Sequence, residues 1–166
     1  VRAQLMCLWR DQRMSSISTD EKGCAVLELP EGAYDLVVSA KGYLSMLIRG
    51  VGVLGGARTE MMRGLVVGEG RSEDEAPSTA LGGYIRDRLG HPLGNILVQV
   101  VSKSASLIET GKTYVARTDS RGAYVIHGIG CGEYEIALRA AQRLLAREPL
   151  RIADISSFVR RDVVLR

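Results

Sequence analysis

Aromatic residues make up only 5% of this 166-residue chain, and a single Phe, Phe158, is present. Because 46% of the residues are nevertheless hydrophobic, the cores must be built mainly from Val, Ile, Leu and Tyr, a mixture that suits strands. Histidine occurs twice, as His91 and His127. A hydrolytic zinc site needs clustered His and Glu ligands around an open coordination position, and a Ser or Cys nucleophile needs an adjacent base. His91 stands in a turn before Pro92, and His127 takes an outward strand position in another hairpin. Neither chemistry is expected, so no catalytic residue, metal ligand or cofactor is assigned.

Cysteine is scarce too, at three residues, an odd number that leaves at least one unpaired or intermolecular in an oxidising compartment. Strand parity turns Cys7 inward with Leu5 and Cys24 outward, which argues against a bridge between them. Cys131 falls in the turn GCGEY and is expected at the surface. Asn95, the only Asn, sits in a Gly-flanked turn, which disfavours a Lys–Asn crosslink from a core strand and leaves no Asn-x-Ser/Thr site. No apolar run approaches the roughly 18 residues that span a bilayer, and no charged-then-apolar leader opens the chain. Membrane insertion is not expected. Beginning at Val1, the chain reads as a processed protein or a fragment.

Charge is uneven, at +1 for residues 1–67, −3 for 68–79 and +5 for 80–166. The basic C-terminal half lacks the aromatic interleaving of a single-strand binder, so its scattered Arg residues read as a solvated face, not a nucleic-acid site.

Two stretches repeat one another: TDEKGCAVLELPEGAYDLVV from Thr19 and TDSRGAYVIHGIGCGEYEIAL from Thr118. Such self-similarity marks two copies of a small β-rich module, each able to bury only about 60% of its unfolded surface alone. Between them GEGRSEDEAPST, Gly68 to Thr79, has almost no apolar residue, carries an acidic run and contains Pro77. It reads as a protease-sensitive linker. The expected organisation is residues 1–67, linker 68–79 and residues 80–166.

In the second half the pattern predicts a strand over Tyr84 to Asp87 and a turn at Gly90, Pro92 and Gly94. A strand follows from Ile96, with Ile96, Val98 and Val100 inward. TDSRG makes a hairpin, with Asp119 capping its start and Gly122 at positive φ. Tyr124 and Ile126 then point inward, Val125 and His127 outward. Tyr134, Ile136 and Leu138 follow into the core. Ala140 to Glu148 favours a short helix ending at Pro149, and strands over Leu150 to Ile152 and Phe158 to Leu165 close the module. The first half runs in the same order, with VGVLGGARTEMMRGL supplying its last two strands. Ala3, Leu5 and Cys7 take the places of Ile96, Val98 and Val100, and Trp9 shares their inward parity. No counterpart of GGYIRDRLGHPLG precedes them, so the first module lacks its first strand.

The order GxIxDxxGxPL…TDxxGxYxI…GxY resembles the carboxypeptidase regulatory-like domain. It is carried by Gly83, Ile85, Asp87, Gly90, Pro92, Leu93, Thr118, Asp119, Gly122, Tyr124, Ile126, Gly132 and Tyr134. Residues 1–67 hold the later part of the pattern: Thr19, Asp20, Gly23, Leu29, Pro30, Gly32, Tyr34, Gly42 and Tyr43, with Ala25 where an aromatic is expected. The resemblance implies an all-β chain of two tandem seven-stranded, transthyretin-like or Ig-like β-sandwiches, the first incomplete. In the family these residues are structural, and the module is an extracytoplasmic accessory or structural unit; no reaction is implied.

The expected role is a non-enzymatic structural or interaction module, extracellular or on the cell surface. A strand from another copy, or from adjoining domains of a longer chain, fills the gap in the first module. That strand pairs with the edge the absent segment leaves open, the strand carrying Ala3, Leu5, Cys7 and Trp9 is expected at or near the joint, and donation between copies would build a filament. A glycan-binding accessory module of a larger enzyme or receptor is the alternative, and it requires aromatics exposed on one sheet.

Overall fold

The computed structural model describes residues 1–10, 12–68, 78–103, 112–155 and 157–165. Most of the expected linker, 69–77, and the polar stretch 104–111 lie outside the described residues. Every regular element among the described residues is a β-strand. The fold class is all-β, with no helix among the described residues.

The N-terminal half forms one antiparallel sheet from β1 (Gln4–Trp9), β2 (Gln12–Ser18), β3 (Gly32–Ser39) and β4 (Met46–Val53), in the order β2-β1-β3-β4. The C-terminal half holds β5 (Thr79–Arg86), β6 (Leu97–Ser102), β7 (Thr113–Arg117), β8 (Ala123–Ile129), β9 (Gly132–Ala140), β10 (Arg143–Ile152), β11 (Val159–Arg160) and β12 (Val163–Val164). One of its sheets has the order β10-β9-β6-β7. In the other, β5 is bonded antiparallel to β8 on one edge and parallel to β11 and β12 on the other.

These two sheets face each other as a sandwich. Leu81, Ile85, Tyr124, Ile126, Ile129 and Val163 from one sheet meet Val98, Val100, Tyr134, Ile136, Leu138, Leu150 and Ile152 from the other. The alternation that placed Val98, Val100, Tyr124, Ile126, Tyr134, Ile136 and Leu138 inward holds, because side chains two apart share a face. The N-terminal sheet has a smaller core of Cys7, Tyr34, Leu36, Ile48 and Val51.

One turn is built three times. Asp20 Oδ1 accepts the backbone N–H groups of Lys22 and Cys24 at 2.9 and 2.8 Å, and Asp119 Oδ1 those of Arg121 and Ala123 at 2.8 and 2.9 Å. Asp87 Oδ1 accepts those of Leu89 and His91 at 2.8 and 2.9 Å. Gly23, Gly90 and Gly122 close the three turns at φ between +75° and +86°, where only glycine is free of Cβ strain. The halves match elsewhere too: the Tyr34 hydroxyl donates to Pro30 O at 2.9 Å, and Tyr134 to Gly130 O at 3.0 Å.

Four expectations are corrected. Ala140 to Glu148 is not helical: β9 turns at Ala141, φ +48°, into β10, which pairs along β9 from Arg143↔Ala140 to Ile152↔Gly132. Helix propensity is a weak bias beside a full ladder, and Pro149 is tolerated because β10 is an edge strand. The strand expected at Tyr84 begins instead at Thr79, and its first five residues are buried. A strand covered on both faces shows no alternation, so TALGG carried no strand signal. The closing strands of the first half reduce to the end of β4, because residues 54–66 contain no strand and Val67 forms an isolated bridge with Tyr43. Trp9 is 39% exposed, because the β1–β3 pairing ends at Leu8↔Asp35 and leaves it at the hairpin tip, under the Arg10 guanidinium.

Candidate interaction site: two unladdered segments beside the N-terminal sheet

The two halves run in register up to the Asp turns. Ala3 N donates to Thr19 Oγ1 at 2.9 Å and Thr19 N returns to Ala3 O at 2.9 Å; Ile96 and Thr118 do the same at 2.9 and 3.0 Å. Asp20 N donates to Cys24 O as Asp119 N does to Ala123 O. Beyond that point they diverge. Ala123 continues into β8, laddered to β5 from Tyr84↔Ala123 to Thr79↔Ile129. Residues 24–31 belong to no strand.

That segment still alternates. Ala25, Leu27 and Leu29 are half-buried, whereas Val26, Glu28 and Pro30 are exposed. Leu27 and Leu29 pack on the core around Cys7 and Leu36, as does Met61 from the segment that follows β4. Val26 is 71% exposed and Met62 91%, with Val66 and Val67 also open to solvent. In the C-terminal half the equivalent segments flank β5 on its two edges. A further polar group differs: the Thr118 hydroxyl donates to Leu93 O at 2.7 Å, in the turn that leads from β5 into β6. The Thr19 hydroxyl has no such acceptor among the described residues.

The residues expected at or near the joint lie on β1 or just before it. β1 is bonded to β2 on one side and β3 on the other, so it offers no free edge. Ala3 is buried just before it, Leu5 is half-buried and Cys7 is fully buried on the core face. Cys7 belongs to the core on which Leu27 and Leu29 pack, and Trp9 is exposed. Burial first, and the Asp35 carboxylate second, push the Cys7 thiol above its usual value, so it stays protonated and unreactive. All three cysteines are free, with Cys24 and Cys131 exposed.

The outward face of the β5/β8 sheet is covered. β4 lies across it: a Cβ on Gly52 would meet Ala80 Cβ at 2.6 Å and Val125 Cγ1 at 2.8 Å. Gly52 N donates to His127 Nδ1 at 2.9 Å. Around this seam the Tyr84 hydroxyl donates to Gly55 O at 2.5 Å and Arg121 Nη1 to Gly56 O at 2.9 Å. Arg160 Nη1 reaches both oxygens of Glu31 at 2.8 and 3.1 Å. His127 therefore has the outward parity expected of it but is not a surface residue. No sequence signal could show this, since alternation tells which face a side chain takes and not what covers that face.

No protein-family profile matches the chain. Carboxypeptidase D of Drosophila melanogaster is 29% identical over 136 residues, covering 76% of this chain and 9% of that protein. The chain thus spans about a tenth of the length of that curated relative. Among solved structures, the Bacillus anthracis TIE protein aligns with a TM-score of 0.41 at 15% identity, covering 99% of this chain and 30% of its own. A Streptococcal ancillary pilin gives a TM-score of 0.40 at 16% identity, covering 100% of this chain and 57% of its own.

Among the described residues, no three His, Cys, Asp or Glu side chains gather as metal ligands. His91 Nδ1 is bound to Asp87 Oδ2 at 3.0 Å. Desolvation would raise the Asp87 carboxyl, but hydrogen bonds from His91 and Leu89 outweigh it and hold the group below its usual value. That carboxylate is a turn cap.

Proposed function

We propose that the chain is a non-enzymatic structural and interaction unit of an extracytoplasmic assembly, built as two tandem transthyretin-like modules. The first, residues 1–67, is completed by a β-strand from outside itself. The observation that carries this reading is segment 24–31, extended and alternating like β8 but without a ladder partner, beside the apolar floor of Cys7 and Leu36. An added strand would satisfy a row of backbone donors and acceptors, each bond worth about 0.5–1.5 kcal/mol net, and would cover Val26 and Met62. The Thr19 hydroxyl would gain an acceptor from the turn that brings the strand in. The partial identity with a carboxypeptidase agrees with the resemblance read from the sequence motifs, and it transfers no reaction.

The donor is an extended segment of alternating apolar residues, and donation between copies gives a head-to-tail filament. The glycan-binding alternative needs several aromatics on one sheet, and Trp9 is the only exposed aromatic among the described residues.

The test grafts a second copy of residues 79–95 in front of Val1. The graft is expected to raise the unfolding midpoint, slow amide exchange at residues 25–29, and abolish any filaments that the ungrafted protein forms in electron micrographs. Unchanged exchange at residues 25–29 would show that no strand position exists there.

A further inference from the structure

His127 is the one imidazole held between the two halves. Its Nδ1 accepts the Gly52 N–H at 2.9 Å, so the neutral ring carries its proton on Nε2. The contact crosses from β8 to β4, and Gly52 is in close approach there, with Ala80 and Val125 within 2.8 Å of where a Cβ would stand. A protonated ring would have N–H at both positions. It would turn a donor toward the Gly52 donor.

The surroundings do not favour that proton. From the segment after β4, Arg58, Glu60 and Arg63 face the ring's cleft or act on the ring; from β7 and the following turn, Arg117 and Asp119 line it. Both carboxylates among these are already engaged: Glu60 with Arg58 at 3.2 Å, and Asp119 with the N–H groups of its own turn. Burial first and Arg63 second lower the His127 pKa from the usual 6.5. With the docked pKa below the undocked one, the undocked state binds more protons. Docking is therefore at full strength above about 6.5 and is lost progressively as pH falls toward the docked value.

We propose that His127 is a pH-sensitive latch between the N-terminal sheet and the β5/β8 sheet, holding them together at neutral pH and releasing β4 on acidification. A single titrating group changes the docking constant by up to tenfold per pH unit.

The measurement is amide hydrogen exchange at Gly52 in the full 166-residue protein, corrected for the intrinsic pH dependence of exchange. Its protection factor is expected to fall by up to tenfold per pH unit as the pH drops below about 6.5, in step with the titration of the His127 imidazole followed by NMR. In His127→Gln the side-chain carbonyl can accept the same N–H and does not titrate, so the fall should vanish; in His91→Gln it should remain. Constant protection of Gly52 in the native protein would overturn the proposal, as would the same fall in His127→Gln. Should His127→Gln fail to fold, the native protein decides alone: a Gly52 protection change that does not follow the imidazole titration refutes the latch.

Discussion

Tyr124 is the largest fully buried side chain, 2% exposed, and its hydroxyl donates to Arg161 O at 2.7 Å. Burial drives its pKa far above the usual phenol value, so the hydroxyl keeps the proton it donates. Tyr124→Phe should cost about 0.5–1.5 kcal/mol for the hydrogen bond, and Tyr124→Ala about 3–5 kcal/mol for the cavity as well. Urea unfolding measures both, and a Tyr124→Ala loss below about 1 kcal/mol would contradict this packing. At this scale the sequence was most legible where a side chain answers a local demand. Asp20, Asp87 and Asp119 cap identical turns, and Gly23, Gly90 and Gly122 supply the positive φ those turns need. His127 was legible only in its direction.

Between elements, Gly50 and Gly52 let β4 lie close against β5 and β8. Gly50 has φ +63°, and a Cβ there would stand 2.5 Å from Thr79 O and 2.9 Å from Ser78 Oγ. Gly50→Ala should therefore cost about 1–2 kcal/mol for the left-handed backbone and a further 1–3 kcal/mol for crowding. Gly23→Ala, at φ +81° with nothing within 4 Å, should cost only the first part. Comparing the two by urea unfolding isolates the closeness of the docked sheets; equal losses would mean that β4 does not press on Thr79. Elements were legible where period-two alternation shows itself, as in β6, β8 and β9. They were not where cover comes from both sides, as at Thr79–Gly83, or where helix-favouring residues sit on a sheet edge, as in AAQRLLARE. In such places tertiary pairing overrides what the local sequence prefers.

For the molecule as a whole, the sheet around β5 draws on both ends of the C-terminal half. β8 bonds one edge, while β11 and β12 bond the other through Val159↔Leu81 and Val163↔Ile85. Arg161 N donates to Gly82 O at 2.8 Å, and Asp162 Oδ1 accepts the Tyr84 N–H at 2.8 Å. Truncation after Ile152 removes both parallel strands and the Arg161 acceptor for Tyr124. It should abolish the cooperative unfolding transition of the C-terminal half, seen as loss of amide protection at Leu81 and Ile85; retained protection would show that β8 alone secures β5. This pairing also sets an order of events in synthesis. A polypeptide emerging from the ribosome can form the β9–β10 hairpin early, because its contacts are local. The edge of β5, made some eighty residues before its partner, must wait until β11 and β12 have been synthesised, and until then it is a stretch of Leu, Gly and Ile to be shielded by chaperones.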